Sequence, residues 1–359
     1  MIDLSIFKGQ RVFITGVTGF KGSWLAFWLS QLGAEIVGYA LPPEPHQQLF
    51  DALDLRNRIR YVSGDIRDFE YLNRTITEFS PTFIFHLAAQ PLVRLSYQLP
   101  RETFSTNILG STHILEVART CSSLRVLVYI TSDKCYQNNE WVWGYRENDI
   151  LGGRDPYGAS KAAAEIVFAS YVDSFFSKMS QVGVASVRAG NVIGGGDWSI
   201  DRIVPDSIKA LQKNFPVQVR SPHATRPWQH VLEPLSGYLQ LATYLYQQPK
   251  QYEGSWNFGP DASSVQRVEQ VVDEIIQVWG EGKKEVTPQG QKGANKLYEA
   301  GLLRLNCDKA HELLCWRPQW GFSTAIRHTV EWYKQVHQGQ DAAEITRDQL
   351  AIYMKAMQR

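Results

Sequence analysis

The chain has 359 residues, of which 44% are hydrophobic, 12% aromatic and 20% charged, with a formal net charge of +1. This is the balance of a soluble globular protein long enough for two domains, and it offers no electrostatic case for nucleic acid or an anionic membrane surface. Cys121, Cys135, Cys307 and Cys315 form no C-x-x-C pair, which argues against zinc or a disulfide framework and for a reducing cytoplasm; there is no signal-peptide pattern and no apolar run of the ~18 residues a membrane span needs.

Gln10 to Thr15 reads as a short buried strand, followed at once by Gly16, Gly19 and Gly22 and then by an apolar helix from Ser23 to about Gly33. Strand, glycine turn and helix in that order suit a dinucleotide. The first glycine permits the tight turn, the second lets backbone approach a pyrophosphate, and the third lets the helix pack on the strand. A glycine triple by itself is also compatible with a simple turn. Ala34 to Tyr39 reads as the second strand. Its end, Tyr39-Ala40-Leu41-Pro42, carries neither the carboxylate that holds an adenosine ribose nor an arginine for a 2′-phosphate. NAD and NADP are therefore not distinguished there.

A third strand spans Ile59 to Ser63 and ends at Gly64-Asp65-Ile66. Asp65 and Ile66 suit an adenine edge and face; alternatively Asp65 is a helix N-cap. Thr82 to Gln90 is a fourth strand that runs into small residues. His86 on it is either a satisfied core histidine or a catalyst. Asn107 lies in an amphipathic helical stretch, where packing is a sufficient reading.

Val126 to Ile130 leads into Thr131-Ser132-Asp133-Lys134. After a polar, aromatic loop, Asp155-Pro156-Tyr157-Gly158-Ala159-Ser160-Lys161 opens an Ala-rich segment whose helix reads as Ser160 to about Phe176. A tyrosine and a lysine four apart on a helix face the same way. An ammonium there favours the phenolate and is expected to lower the tyrosine pKa from about 10. Val182 to Arg188 is the sixth strand. Alternating strands and helices imply an α/β, doubly wound, mostly parallel sheet. Thr15, Gly16, Asp65, Ala88 and Thr131 to Lys134 all lie at strand C-termini, where such sheets bind ligands.

Next comes Asn191 to Trp198, whose Gly194-Gly195-Gly196 run reads as a binding loop. Val217 to Arg220 is a short strand. In Arg226-Pro227-Trp228-Gln229-His230, arginine suits a diphosphate and tryptophan a base or sugar; an arginine stacked on a buried tryptophan is the other reading. Leu235–Tyr246, Val268–Trp279, Asp308–Leu314 (N-capped by Asp308), Thr324–His337 and a last short one, Ile345–Met357, read as helices. Trp256 to Pro260 is a further strand, and Lys283 to Lys296 a polar loop.

Gly16-x-x-Gly19-x-x-Gly22, His86-Leu87-Ala88-Ala89, Ser132-Asp133 and Tyr157-x-x-x-Lys161 resemble the extended short-chain dehydrogenase/reductases over almost the whole chain. Ser132-Asp133-Lys134 is similar to the dehydratase triplet of the nucleotide-sugar 4,6-dehydratases. Phe20 to Leu25, Asp133 to Tyr136, Arg188 to Trp198 and Arg226 to Val231 narrow the resemblance to the branch whose substrate is CDP-glucose.

That resemblance implies a Rossmann-like NAD-binding domain of residues 1–192 and 225–260, with 321–359 packed on it. A smaller, mainly C-terminal nucleotide-sugar-binding domain would take 193–224 and 261–320. It implies bound, recycled NAD, with NADP left open, and no metal. It assigns catalysis to Ser132, Asp133, Lys134, Tyr157 and Lys161. It assigns the cofactor to Gly16, Thr18, Gly19, Phe20, Lys21, Gly22, Asp65, Ile66, Leu87, Ala88, Ala89, Thr131, Tyr157 and Lys161, and the substrate to Gln90, Asn191, Trp198, Arg202, Arg220, Arg226 and Tyr298. Better-known relatives carry glutamate where this chain has Lys134. Lysine there serves either as the carbon 5 base, if desolvation or the nearby Lys161 lowers its pKa, or as a cation that stabilises an enolate. The resemblance also implies a homodimer, or a tetramer, built on a four-helix bundle of the stretches around Asn107–Thr120 and Ser160–Phe176. Another sugar dehydratase, a 4-epimerase and a non-catalytic dinucleotide sensor are the competing functions. Asp133-Lys134 argues against the epimerase, and the intact Tyr157-Lys161 pair against the sensor.

Overall fold

The computed structural model describes residues 3–44, 48–286 and 302–358. Its centre is a sheet of seven strands: β1 (Arg11–Thr15), β2 (Glu35–Ala40), β3 (Arg60–Ser63), β4 (Phe83–His86), β5 (Val126–Ile130), β6 (Gly183–Ala189) and β7 (Gly254–Phe258). The order is β7-β6-β5-β4-β1-β2-β3, and every neighbouring pair is parallel. Chain order reverses direction between β1 and β4, whose last residues, Thr15 and His86, pair with each other. A crevice opens at such a point, beyond the carboxyl ends of the strands.

The strands are apolar runs because helices cover both faces of the sheet. Val12, Ile14, Phe83, Phe85, Val126, Val128, Ala185 and Val187 face one core. Phe13, Ile84, Leu127, Tyr129 and Val184 face the other. The first core receives α1 (Phe20–Gln31), whose Trp24, Leu25, Phe27, Trp28 and Leu29 are all buried. The second receives α2 (Ser111–Thr120), preceded by a π-helical turn at Ser105–Gly110, and α3 (Pro156–Ser174). Pro156 sits in the first turn of α3, where its missing N–H costs nothing. Asp155 accepts from Gly158 N at 2.9 Å, so α3 starts before Tyr157 rather than at Ser160.

α4 (Leu232–Gln247) packs under β5 and β6. α5 (Phe322–His337) and α6 (Ala342–Ala356) follow near the end of the chain. α5 meets Val268–Trp279 as well as α6, while Tyr353 of α6 lies edge-on to Trp28 at 6.0 Å. The C-terminal segment thus touches elements from both proposed domains.

Three local expectations change. Lys284–Val286 is a strand, parallel to Val217–Val219, because the polar face of so short a strand lies in solvent; the rest of that stretch lies outside the described residues. Asp308 is the first helical residue, and Asn306 Oδ1 accepts its N–H at 3.1 Å. The final helix has 15 residues and is not short. Among the described residues no helix is long and apolar enough to cross a membrane, and no group of three or more His, Cys, Asp or Glu side chains could hold a metal ion.

Candidate active site

The glycine turn closes tightly around itself. Gly16 has φ 72°, and a Cβ there would lie 2.7 Å from Ala88 N. A Cβ on Gly22 would fall 2.2 Å from Gly16 O. The first and third glycines therefore serve the turn and the helix contact, as their spacing implies. Gly19 is the N-cap of α1; no side chain caps this end and no acidic residue occupies its first turn. Its free N–H groups and the positive end of the helix dipole fit a diphosphate.

At the end of β1, Thr15 Oγ accepts from Leu87 N at 3.1 Å and Ala88 N at 3.2 Å, and pairs with His86 Nδ1 at 2.7 Å. His86 Nε2 reaches Ser111 Oγ at 2.9 Å. Burial, with Lys161 next, lowers His86 to about 3, so the ring is neutral. It is a satisfied core histidine. Asp65 is not a helix cap, because Asp68 caps the following helix at Tyr71 N, 3.1 Å away. The Asp65 carboxylate instead pairs with Arg67, and its backbone carbonyl accepts from Tyr39 Oη at 3.0 Å.

Asn107, which the sequence left as packing, is fully buried in the π-helical turn. Its Oδ1 accepts from Gln90 N at 2.8 Å. Its Nδ2 donates to Gln90 O at 3.1 Å and to Ser160 Oγ at 2.9 Å. The loop after β4 is thereby tied to the first turns of α3, and the Gln90 side chain is spent on Thr103 Oγ1 at 2.9 Å.

Ser132, Asp133, Tyr157 and Lys161 are all buried, in one cluster beyond β5. Asp133 begins a single 3-10 turn, Asp133–Cys135, with Ser132 as its N-cap. Ser132 Oγ donates to Asp133 Oδ1 at 3.0 Å and accepts from Lys134 N at 3.3 Å, and it acts on the nearby Tyr157 phenol. Burial pushes Tyr157 up to about 12, with Ser132 and Arg202 offsetting part of the rise and Asp133 adding to it. The expected lowering by Lys161 is overruled, because desolvation of the phenolate outweighs the cations around it. Burial brings Lys161 down to about 8, and Glu165 opposes that fall. Lys21, on the first turn of α1, is likewise brought down by burial to about 8, with Asp133 opposing and Arg202 and Lys161 adding to the fall. Lys134 is half-buried, and no hydrogen bond or ion pair holds its ammonium among the described residues.

The expected substrate residues divide. Arg202 is drawn toward the cluster, pairing with buried Asp197 at 2.7 Å while acting on Tyr157 and Lys21. Arg220 and Arg94 both pair with Asp201, at 3.1 and 3.0 Å. Pairs so exposed contribute about 0–1 kcal/mol each, so either arginine can turn to an incoming anion at small cost. Asn191 O accepts from Gln229 N at 3.3 Å, and Arg226 lies on a strand paired with Val265–Arg267. Trp198 meets Tyr333 edge-on at 4.8 Å. Tyr298 lies outside the described residues. Trp228 is 5% exposed and donates to Gln266 O at 3.3 Å, so burial leaves its ring no face for a base or sugar. The glycine run is not an open loop: a Cβ on Gly195 would lie 2.1 Å from Trp332, and one on Gly196 2.4 Å from Leu49. These glycines allow close packing.

Near the cluster, a cavity of about 190 Å³ is lined by Gly144, Gly190, Pro227, Gly259, Arg304 and Asn306, among others. The sequence reading also missed Glu165 and Arg188, buried and paired at 2.7 Å. The signal it held was a charged residue inside each of two otherwise apolar segments.

Comparison with known proteins accords with this geometry. The family model described as GDP-mannose 4,6 dehydratase matches residues 13–329. A CDP-glucose 4,6-dehydratase of Salmonella typhimurium is 46% identical over 363 residues, covering 100% of both chains. A CDP-paratose 2-epimerase of Salmonella typhi is 29% identical over 46% of this chain and 54% of its own. Among solved structures, a dTDP-glucose 4,6-dehydratase of Bacillus anthracis in complex with NAD superposes with a TM-score of 0.75 at 20% identity, covering 93% of this chain and 100% of its own. A UDP-glucose 4-epimerase of Thermotoga maritima with UDP-glucose gives 0.75 at 20% identity, covering 91% and 99%.

Proposed function

The chain belongs to the GDP-mannose 4,6-dehydratase family of extended short-chain dehydrogenase/reductases, and from that membership we propose that it is a hydro-lyase converting CDP-D-glucose to CDP-4-dehydro-6-deoxy-D-glucose and water. The observation that carries this reading is the buried Ser132-Asp133-Tyr157-Lys161 cluster in a chain 46% identical, end to end, to a CDP-glucose 4,6-dehydratase.

NAD is the cofactor; when bound, it would supply the hydride acceptor and donor of the reaction, and its positive charge in the oxidised state would favour the Tyr157 phenolate that burial disfavours. Gly16, Thr18, Gly19, Phe20, Lys21 and Gly22 would hold its diphosphate at the uncapped start of α1. Asp65 and Ile66 would hold the adenine, Leu87 to Ala89 and Thr131 would line the path, and Lys161 would bind the nicotinamide ribose. Tyr157 takes the proton of the carbon 4 hydroxyl, and Ser132 hydrogen-bonds the same oxygen. A ketone at carbon 4 makes the carbon 5 hydrogen acidic, because the resulting anion is an enolate. Asp133 gives a proton to the departing carbon 6 hydroxyl. Lys134 either removes the carbon 5 proton or stabilises the enolate. Asn191, Arg202, Arg220 and Arg226 supply the polar groups for the nucleotide diphosphate.

The domain division is 1–192 with 225–260 for cofactor and 193–224 with 261–320 for substrate. Dimerisation uses the helices at 105–120 and 156–174. They lie side by side and leave Leu109 (51%) and Ile166 (59%) exposed, two apolar side chains that a four-helix bundle would cover. The setting is the cytoplasm, where nucleotide sugars are made. Turnover of CDP-, dTDP- and GDP-glucose or mannose, read by mass, tests the reading. Loss of water from CDP-glucose is expected; a product of unchanged mass would make this a 4-epimerase, and no turnover of any would leave the sensor.

A further inference from the structure

Glu165 follows Lys161 by one helical turn on α3 and faces Arg188 near the end of β6. Both are almost fully buried, at 1% and 2% exposure. Glu165 Oε2 accepts from Arg188 Nη2 at 2.7 Å and from Ser186 Oγ at 2.8 Å. Its Oε1 accepts from the Thr131 hydroxyl. Arg188 Nη1 donates to Tyr136 Oη at 2.7 Å and Glu147 O at 2.9 Å, and the guanidinium lies 4.9 Å from the Tyr136 ring centre. Tyr136 Oη donates in turn to Asn257 Oδ1 at 2.8 Å. Thr131 stands just before Ser132-Asp133-Lys134, and Tyr136 follows with only Cys135 between, as the C-cap of the 3-10 turn. One ion pair therefore grips that turn at both ends and stands on the helix that carries Tyr157 and Lys161.

Stability alone is a poor reason for this arrangement. Taking two charges out of water is costly, and an apolar replacement for a buried pair is often neutral or stabilising. We propose that Glu165 and Arg188 are positioning residues, a clamp that fixes Ser132–Lys134 against Tyr157 and Lys161 while the Glu165 carboxylate keeps Lys161 cationic. The groups that act on Lys161 support this. Burial lowers it, and Glu165 and Cys135 are the groups that oppose the fall. The Cys135 thiol is pushed well up by burial and stays neutral. Lys21 on α1 and His86 on β4 also interact with Lys161, but the first is a cation and the second a neutral ring. Glu165, one helical turn away, is thus the anion whose charge favours the ammonium.

The ammonium is present below its pKa and lost above it. Removing Glu165 moves that loss to lower pH, by about one unit for a charge one helical turn away. The test uses the full chain with Glu165→Gln, Arg188→Met, Glu165→Gln/Arg188→Met and Tyr136→Phe, each checked for folding by thermal melting. NAD affinity is followed against pH by tryptophan fluorescence, and turnover of CDP-glucose against pH. In Glu165→Gln, the alkaline midpoint of NAD affinity is expected to fall by about one unit. In the double variant the midpoint stays low, because the carboxylate that favours the ammonium is still absent. Tyr136→Phe keeps the wild-type midpoint but slows elimination relative to carbon 4 oxidation. If Glu165→Gln fails to fold, the double variant, which strands no charge, carries the comparison against Arg188→Met. A folded Glu165→Gln with wild-type midpoint and kcat overturns the proposal. The turnover arm rests on the dehydratase reading, whereas the NAD arm does not. A wild type that binds NAD but leaves CDP-glucose unchanged defeats that reading alone, and the midpoints still decide the clamp.

Discussion

Asp133 abuts Gly190: a Cβ built on Gly190 would lie 3.0 Å from Asp133 Oδ2 and 3.6 Å from a Pro227 ring carbon. The acid and the backbone beyond β6 are thus in contact with no side chain between them. Gly190 φ is not in the left-handed region, so steric crowding and not backbone strain forbids a larger residue. Gly190→Ala should displace the carboxylate by a few tenths of an ångström and lower kcat by about 10- to 100-fold with a smaller change in KM. A kcat within about twofold of wild type would show that the carboxylate moves freely.

Asp133 and Lys134 should separate from Tyr157 in partial reactions. Asp133→Asn keeps the volume but loses the transferable proton, so carbon 4 oxidation should proceed and dehydration should fall by about 10²- to 10⁴-fold. Reduced nicotinamide would then accumulate, visible by its absorbance. Tyr157→Phe should abolish that signal. Lys134→Met should keep it, while carbon 5 stops exchanging with solvent deuterium. Normal deuterium uptake at carbon 5 would remove Lys134 from the role of base.

Asn107→Ala should destabilise the protein. It leaves Gln90 N and O and the Ser160 hydroxyl without their buried partner, a loss of about 2–4 kcal/mol. Denaturant melting measures it. Because the same amide ties the loop after β4 to α3, kcat at permissive temperature should fall too. A variant less than about 0.5 kcal/mol destabilised would mean that water replaces the amide.

Glu233, outside the Ser132-Asp133-Tyr157-Lys161 cluster, gives a pH-dependent contribution. Burial raises it to about 7, although Tyr353 Oη (2.6 Å), Gln319 N (2.9 Å) and Trp320 N (2.7 Å) all donate to its carboxylate. A carboxyl group whose pKa is raised by folding binds its proton more tightly in the native state. Its contribution is therefore complete below the ordinary carboxylate range and is lost as pH rises through about 7. The whole effect is at most about 3 kcal/mol. Wild-type stability should fall between pH 5 and 7.5 relative to Glu233→Gln, measured by urea unfolding; parallel curves for the two proteins would refute it.

The sheet was legible in the sequence because a parallel strand covered on both faces must be apolar along its length. Val126–Ile130 and Val182–Arg188 were visible as such runs, and the strands formed are Val126–Ile130 and Gly183–Ala189. The glycine turn was legible for a similar reason, since Gly16 and Gly22 sit where any Cβ would strike backbone. Tyr157 and Lys161 were legible because helical spacing alone puts them on one face. What such signals share is that backbone geometry within a few residues fixes them.

Tertiary structure decided the rest. Gly194 to Gly196 looked like an open binding loop, yet Trp332 and Leu49 come from elsewhere in the chain to fill the space beside them. Trp228 looked available for stacking and is buried. Tyr157 was expected to be acidified by its neighbour, but desolvation by the whole surrounding site raises it instead. Glu165 and Arg188 lie on different elements, so no local pattern pairs them. By itself the sequence determined the sheet, the glycine turn and the side chains proposed to react. Packing alone decided their ionisation and their grip on one another, because burial and partners across the sheet are properties of the fold and not of any segment.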